Sequence, residues 1–186
     1  MVVPQSRDER LMTGEALARH PELEPCELID GRVVPMAPAG PAHGTVEFRL
    51  AAKLVAYADE SGRGTAMGGE VGIYTRRNPD TVRGADAVFI SHERRARCSN
   101  SAFLDVAPEL VVEIYSPEDR PGEVMKKIRE YLSIGVDQVW YIDPRRRQVR
   151  IHRSPEQVET LGIADTLSDA EILPGFSLAL SDLFRD

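Results

Sequence analysis

Cysteine is scarce in this chain of 186 residues: it holds two, Cys26 and Cys98, far apart and without cysteine neighbours. That excludes a disulfide-built scaffold and a structural zinc site with thiolate spacing, so both are read as reduced thiols. Long apolar runs are missing too. No stretch of about 18 apolar residues offers a membrane span, and MVVPQSRDER has neither the basic nor the apolar region of a secretory leader, so a cytoplasmic protein is expected. Repeats with a period of roughly 20 to 50 residues and low-complexity linkers are also absent. Positive charge is outnumbered, 23 Lys and Arg against 30 Asp and Glu, for a net charge of -7. Global attraction to nucleic acid is therefore not expected, and any such contact must come from local basic patches. What the chain does have, 42% hydrophobic and 28% charged residues, suits one globular domain with a sizeable core. Residues 1–12 read as a loose tail and 13–186 as a single domain.

Thr13 can cap a helix through His20, which Pro21 and Pro25 end. Asp30-Gly31 between two apolar runs signals a two-residue hairpin, placing Glu27 on a strand. From His43 to Ser61, Val46, Leu50, Leu54 and Ala58 recur every four positions, an amphipathic helix closed by Gly62 and Gly64. Short strands are expected near Gly64–Met67, Val71–Tyr74 and Ala87–Ile90. Leu110–Tyr115 is a run of strand formers, Gly122–Ser133 a helix with Val124, Ile128 and Leu132 on one face, and Val139–Ile142 another buried strand. Strand, helix and strand within about 30 residues make a parallel crossover unit. Gln148–His152, Val158–Leu161, Leu173–Phe176 and a Ser181-capped helical turn follow. The fold class is mixed α/β.

Glu113 interrupts the apolar run of its strand. A lone carboxylate buried between two covered sheet faces is costly unless paired or bound to metal, which marks it as functional. Alternatively the strand exposes one face, with Val111, Glu113 and Tyr115 outward. Asp86 stands at the mouth of the strand Ala87–Ile90, where aspartate is also an ordinary turn former. If the two strands are neighbours, Asp86 and Glu113 converge on one hard divalent cation, since Mg²⁺ is held by one or two carboxylates plus water and phosphate oxygens. Lys127, fourteen positions after Glu113 on the following helix, can orient water or stabilise charge developing on a phosphate, or simply be a solvated lysine.

Glu27-Leu28-Ile29-Asp30-Gly31, His43, Ala85-Asp86-Ala87-Val88-Phe89-Ile90, Leu110 through Pro117, Lys127 four before Tyr131, Gly135-Val136 and Trp140-Tyr141-Ile142-Asp143-Pro144 occur in that order. This ordered set resembles the Uma-type putative restriction endonuclease family of the PD-(D/E)XK nuclease superfamily, from about Thr13 to Phe184. The resemblance implies a restriction endonuclease-like core, a mixed sheet flanked by helices. It also implies a metal-dependent endonuclease acting on DNA with Mg²⁺ or Mn²⁺, working as a homodimer. Asp86 and Glu113 become the superfamily's two acids and metal ligands, and Lys127 its lysine, moved from strand to helix. Glu27 becomes an auxiliary metal or water ligand, and His43 a further catalytic candidate whose plainer reading is a polar residue at a helix start. Ala85 stands where the motif has proline, and Tyr115 where it has lysine, so activity requires the migrated lysine. Lys126 is the rival, and the spacing to Tyr131 favours Lys127.

Arg76 and Arg77, Arg94, Arg95 and Arg97, and Arg145 to Arg147 with Arg150 and Arg153 can meet phosphates despite the acidic total, or form solvated turns. His20, His92 and His152 lack a partner histidine four residues on or a thiol pair, which argues against transition-metal ligation. Besides the nuclease, a catalytically silent module that binds nucleic acid or a protein partner fits the acidic charge. Hydrolysis of a small phosphoester would use the same site without the arginines.

Overall fold

In a computed structural model that describes residues 11–99 and 102–185, the chain opens with one helical turn, α1 (Gly14–Leu17), capped by Thr13, whose hydroxyl accepts from the Ala16 amide. The helix does not run to His20. Pro21 disfavours α geometry before it and starts a separate 3-10 turn, Pro21–Leu23. Of the tail expected at 1–12, residues 1–10 lie outside the described residues; Leu11 is exposed, and the Met12 amide donates to the Gly31 carbonyl.

The hairpin β1 (Cys26–Ile29) and β2 (Arg32–Pro35) turns on Asp30 and Gly31, both at positive φ as a type I′ turn requires. Helix α2 (Pro41–Ser61) starts earlier than His43, with Pro41 in its first turn, and ends at left-handed Gly62. The two short strands expected at 64–67 and 71–74 are one strand, β3 (Gly64–Arg76), whose register against β4 (Thr81–Ser91) shifts across Gly69 and Glu70, both at positive φ. The turn α3 (His92–Arg95) precedes β5 (Leu110–Ile114), α4 (Pro121–Ser133) and β6 (Gln138–Asp143). β5 and β6 pair in parallel, the expected crossover unit. Then come β7 (Gln148–His152), β8 (Val158–Leu161), an unanticipated β9 (Thr166–Asp169), β10 (Leu173–Ala179) and the turn α5 (Leu180–Leu183), whose N-cap is Ala179 rather than Ser181.

The main sheet is mixed and eight-stranded, running β2-β1-β4-β5-β6-β7-β8 with β3 on the other edge of β4. One face carries Phe89, Val112 and Trp140 and is covered by α2, α5 and the β9–β10 ribbon. The other carries Val88, Val111, Val139 and Tyr141 and is covered by α4 through Ile128 and Tyr131. Trp140, Tyr131 and Phe89 are fully buried, each worth roughly 1.5–3 kcal/mol of apolar transfer. Among the described residues no helix is long and apolar enough to cross a membrane.

The sheet forks beside β4. One edge of β4 pairs with β3, while the other meets β1 at Val82 and β5 from Ala87 to Phe89. Between Val82 and Ala87 that second edge has no ladder partner, because β1 and β5 have diverged. The backbone groups left there need side-chain partners, and supplying them gathers the candidate site.

Candidate active site

Gly84 sits in the fork. Its amide donates to Glu27 Oε1 at 3.1 Å, and its carbonyl accepts from Lys127 Nζ at 2.7 Å and from Tyr131 Oη at 3.3 Å. Three side chains, one from β1 and two from successive turns of α4, thus close the ladder gap. Lys127 and Tyr131 lie one turn apart on α4, on one helix face. Lys127 Nζ also reaches Glu113 Oε2 at 2.8 Å and Glu27 Oε1 at 3.1 Å, while Tyr131 Oη donates to Glu113 Oε1 at 2.9 Å. Both oxygens of Glu113 are therefore occupied by donors. Lys126, on the preceding helix position, is exposed.

Glu113 is on the face that α4 covers, with Val111 fully buried beside it, so the outward-facing reading of that strand face does not hold. Glu27 is gripped a second time by Arg83, whose Nη1 lies 2.7 Å from Glu27 Oε2, and the same buried guanidinium binds Glu130 Oε2 through Nε at 2.6 Å. Asp86 serves the other side of the fork. Its Oδ1 lies 3.1 Å from His43 Nε2 on α2, and its Oδ2 accepts from the Ile114 amide at 2.5 Å, just beyond the last β4–β5 rung. His43, Glu47 and Asp86 each place a ligand atom within 4.8 Å of the others. Glu70, on the positive-φ bulge of β3, is exposed to solvent yet lines the same cavity of about 440 Å³ with Glu27, His43, Asp86, Glu113 and Lys127.

Charge in this cleft is out of balance. Burial pushes the Glu113 carboxyl up to about 8, with Asp86 adding and Lys127 opposing. Repulsion between the two carboxylates is thus a smaller cause than desolvation. Glu70 rises to about 7 for the same leading reason, again with Asp86 contributing, and Glu47 is raised likewise. Burial also raises Glu27, but Lys127 and Arg83 outweigh it and hold that carboxyl below its ordinary value. Lys127 stays charged, since Glu113 and Glu27 outweigh its desolvation. The Asp86 hydrogen bond keeps the His43 imidazole more basic than usual.

The donor set fits a hard divalent cation: several carboxylates face one cavity, and two of them, Glu113 and Glu70, are pushed toward protonation, by burial first and by Asp86 next. All five residues singled out in the sequence, Glu27, His43, Asp86, Glu113 and Lys127, line this one cleft. Arg83, Glu70, Glu47 and Glu130 were not foreseen. A legible signal existed only for Glu47, which follows His43 by one helical turn. Several predicted basic patches are engaged within the fold. Arg94 binds Asp137, Glu109 and three carbonyls, Arg76 pairs with Asp30, Arg77 stacks on Tyr74 and pairs with Glu15 and Asp80, and Arg153 pairs with Glu159 and Asp169.

The family model described as "Uma2: Putative restriction endonuclease" matches residues 15–181. Among solved structures, the chain is similar to one described as a putative nuclease belonging to DUF820 from Anabaena variabilis, at 20% sequence identity and a TM-score of 0.76, covering 93% of this chain and 97% of that one. That likeness supports the mixed α/β fold. No curated protein matches the chain. Because the family match runs from α1 into α5 and takes in every strand and helix around the cleft, the chain belongs to the Uma2 family.

Proposed function

We propose that this protein is a metal-dependent endonuclease that hydrolyses DNA phosphodiester bonds, with residues 13–186 forming its single domain. The observation that carries this reading is the joining of Lys127 to both Glu113 and Glu27 in a cleft that Asp86 also lines. The family description and the nuclease neighbour support the same reading. Asp86 and Glu113 would hold Mg²⁺ or Mn²⁺. When bound, the cation supplies Lewis-acid polarisation of the scissile phosphate and neutralises its charge.

The chain's own residues do the rest. Lys127, charged and fixed by two carboxylates, orients a water for in-line attack and stabilises negative charge developing on the phosphate oxygens. Arg83 holds Glu27 in place, and Glu27 in turn aims Lys127. His43 holds one oxygen of Asp86 while the Ile114 amide holds the other, fixing the carboxylate plane. Tyr131 does the same for Glu113. One such cleft per chain suits cleavage of one strand, so cutting a duplex calls for two copies, and a homodimer acting on DNA in the cytoplasm is the form we propose.

The test is a nicking assay on supercoiled DNA with Mg²⁺ or Mn²⁺. Cleavage that a chelator abolishes, and that Glu113→Gln abolishes in the same way, is the expected result. Binding of nucleic acid without cleavage under any divalent metal would instead identify a silent nuclease-like module.

A further inference from the structure

A second cavity, of about 160 Å³, adjoins the carboxylate cleft, and Asp119, Val124 and Tyr141 line both. Its mouth carries Arg145 and Arg146 from the β6–β7 turn, with Arg150 and His152 from β7 on its wall. Arg145 and Arg146 are exposed, whereas His152 is 2% exposed. Neither ring nitrogen of His152 has a hydrogen-bond partner. A buried imidazole with both nitrogens unsatisfied costs free energy, and a ligand acceptor in the cavity would remove part of that cost.

Two of the guanidinium groups lie over aromatic rings. Arg145 Cζ lies 3.7 Å from the Tyr115 ring centroid and Arg150 Cζ 4.9 Å from that of Tyr141. A guanidinium over a ring keeps N–H groups at its terminal nitrogens for oxyanions, an arrangement suited to phosphate. The two acids that share the cavity are already engaged. Asp143 accepts from the amides of Arg145 and Arg146 and lies 3.6 and 3.8 Å from their Nε atoms, and Asp119 accepts from the Ser116 amide.

Position supplies the remaining link. Glu113, Tyr141 and Arg150 stand opposite one another on β5, β6 and β7. Two strand spacings, roughly 10 Å, therefore separate the backbone of Glu113 from that of Arg150. Consecutive phosphates of one DNA strand are farther apart than the axial rise of about 3.4 Å because the strand also winds around the axis, so the span corresponds to roughly one or two nucleotides.

We propose that this cavity is a phosphate subsite, in which Arg145, Arg146, Arg150 and the buried His152 take a backbone phosphate of the strand whose scissile phosphate lies at Glu113. The proposal rests on the nuclease reading for the identity of the strand. Its test is binding of a fluorescein-labelled DNA duplex to the full chain in chelator, across a salt series, together with NMR of the His152 ring. The Arg145→Ala/Arg146→Ala double variant, altered at exposed positions, should bind about tenfold more weakly, and its log affinity against log salt should flatten by about 1. Duplex DNA should also move the His152 ring signals, and His152→Gln should weaken binding without flattening the salt slope.

Unchanged affinity and slope with unmoved ring signals would overturn the subsite. If Mg²⁺-dependent nicking persists in that case, the nuclease reading survives alone. Ring signals that respond to inorganic phosphate but not to duplex would overturn the strand assignment. Weakened, salt-flattened binding in a protein that never nicks DNA would support the subsite while removing the nuclease.

Discussion

Lys127 Nζ lies 2.8 Å from Glu113 Oε2, joining a helix to a strand fourteen residues earlier. The ammonium satisfies the carbonyl of Gly84 and the carboxylates of Glu113 and Glu27 at once, in a site largely withdrawn from water.

Lys127→Ala should therefore act on stability and on rate. Removing one partner of a largely buried pair leaves a carboxylate uncompensated, and a loss of about 2–4 kcal/mol is expected by urea denaturation. Nicking should fall by roughly 100-fold or more, while Mn²⁺ binding measured by calorimetry stays largely intact. Lys126→Ala, at an exposed position, should match wild type in all three measurements.

Arg83 is 4% exposed and bonds both Glu27 and Glu130. Arg83→Met should cost about 3–5 kcal/mol in the same denaturation experiment, since Glu130 loses its cation and the buried Glu27 keeps only Lys127. Arg83→Lys should recover only part, because an ammonium cannot reproduce the forked contact. Glu130→Gln, on the more exposed end, should cost about 1 kcal/mol. A silent Arg83→Met would contradict the role assigned to this network.

The cleft should make apo stability depend on pH with a definite sign. Glu70 and Glu113 have folded-state values near 7 and 8, against an ordinary 4.5, so the folded chain binds more protons between those limits. Stability should then fall as pH rises from about 4.5 to 8. His43, raised by Asp86, acts in the same direction once pH passes its ordinary value. Thermal melts in chelator should show the decline, and Mg²⁺ should flatten it. Glu70→Gln should remove part of the slope. Melting temperatures that rise over this range would rule the assignment out.

Gly64 tests the fold away from the cleft. A Cβ there would lie 2.3 Å from the Ile90 carbonyl oxygen, a backbone atom that cannot step aside without parting β3 from β4. Gly64→Ala should cost about 1–3 kcal/mol, readable as a lower midpoint in denaturant. Metal-dependent cleavage by the fraction that remains folded should be unaffected.

Local chemistry determined much of this protein directly from its sequence. Asp30-Gly31 dictates a hairpin because both turn positions need positive φ. The apolar run of β5, the amphipathic phase of α4 and the run of β6 dictate a crossover unit, since each period matches one kind of element. The phase of α4 also separates Lys127, turned inward, from exposed Lys126. Tertiary structure alone decided the rest. Which edge of β4 loses its ladder depends on β1 and β5 diverging from the same side, a property of sheet order that no local pattern encodes. That divergence leaves Gly84 and the Ile114 amide to side chains and so draws Glu27, Lys127, Tyr131 and Asp86 together. Arg83 and Glu70 are likewise placed by tertiary structure. Arg83 reads in sequence as an ordinary polar residue of a strand, and Glu70 reaches the rim of the cleft from the β3 bulge, which puts it at positive φ against the register of β4.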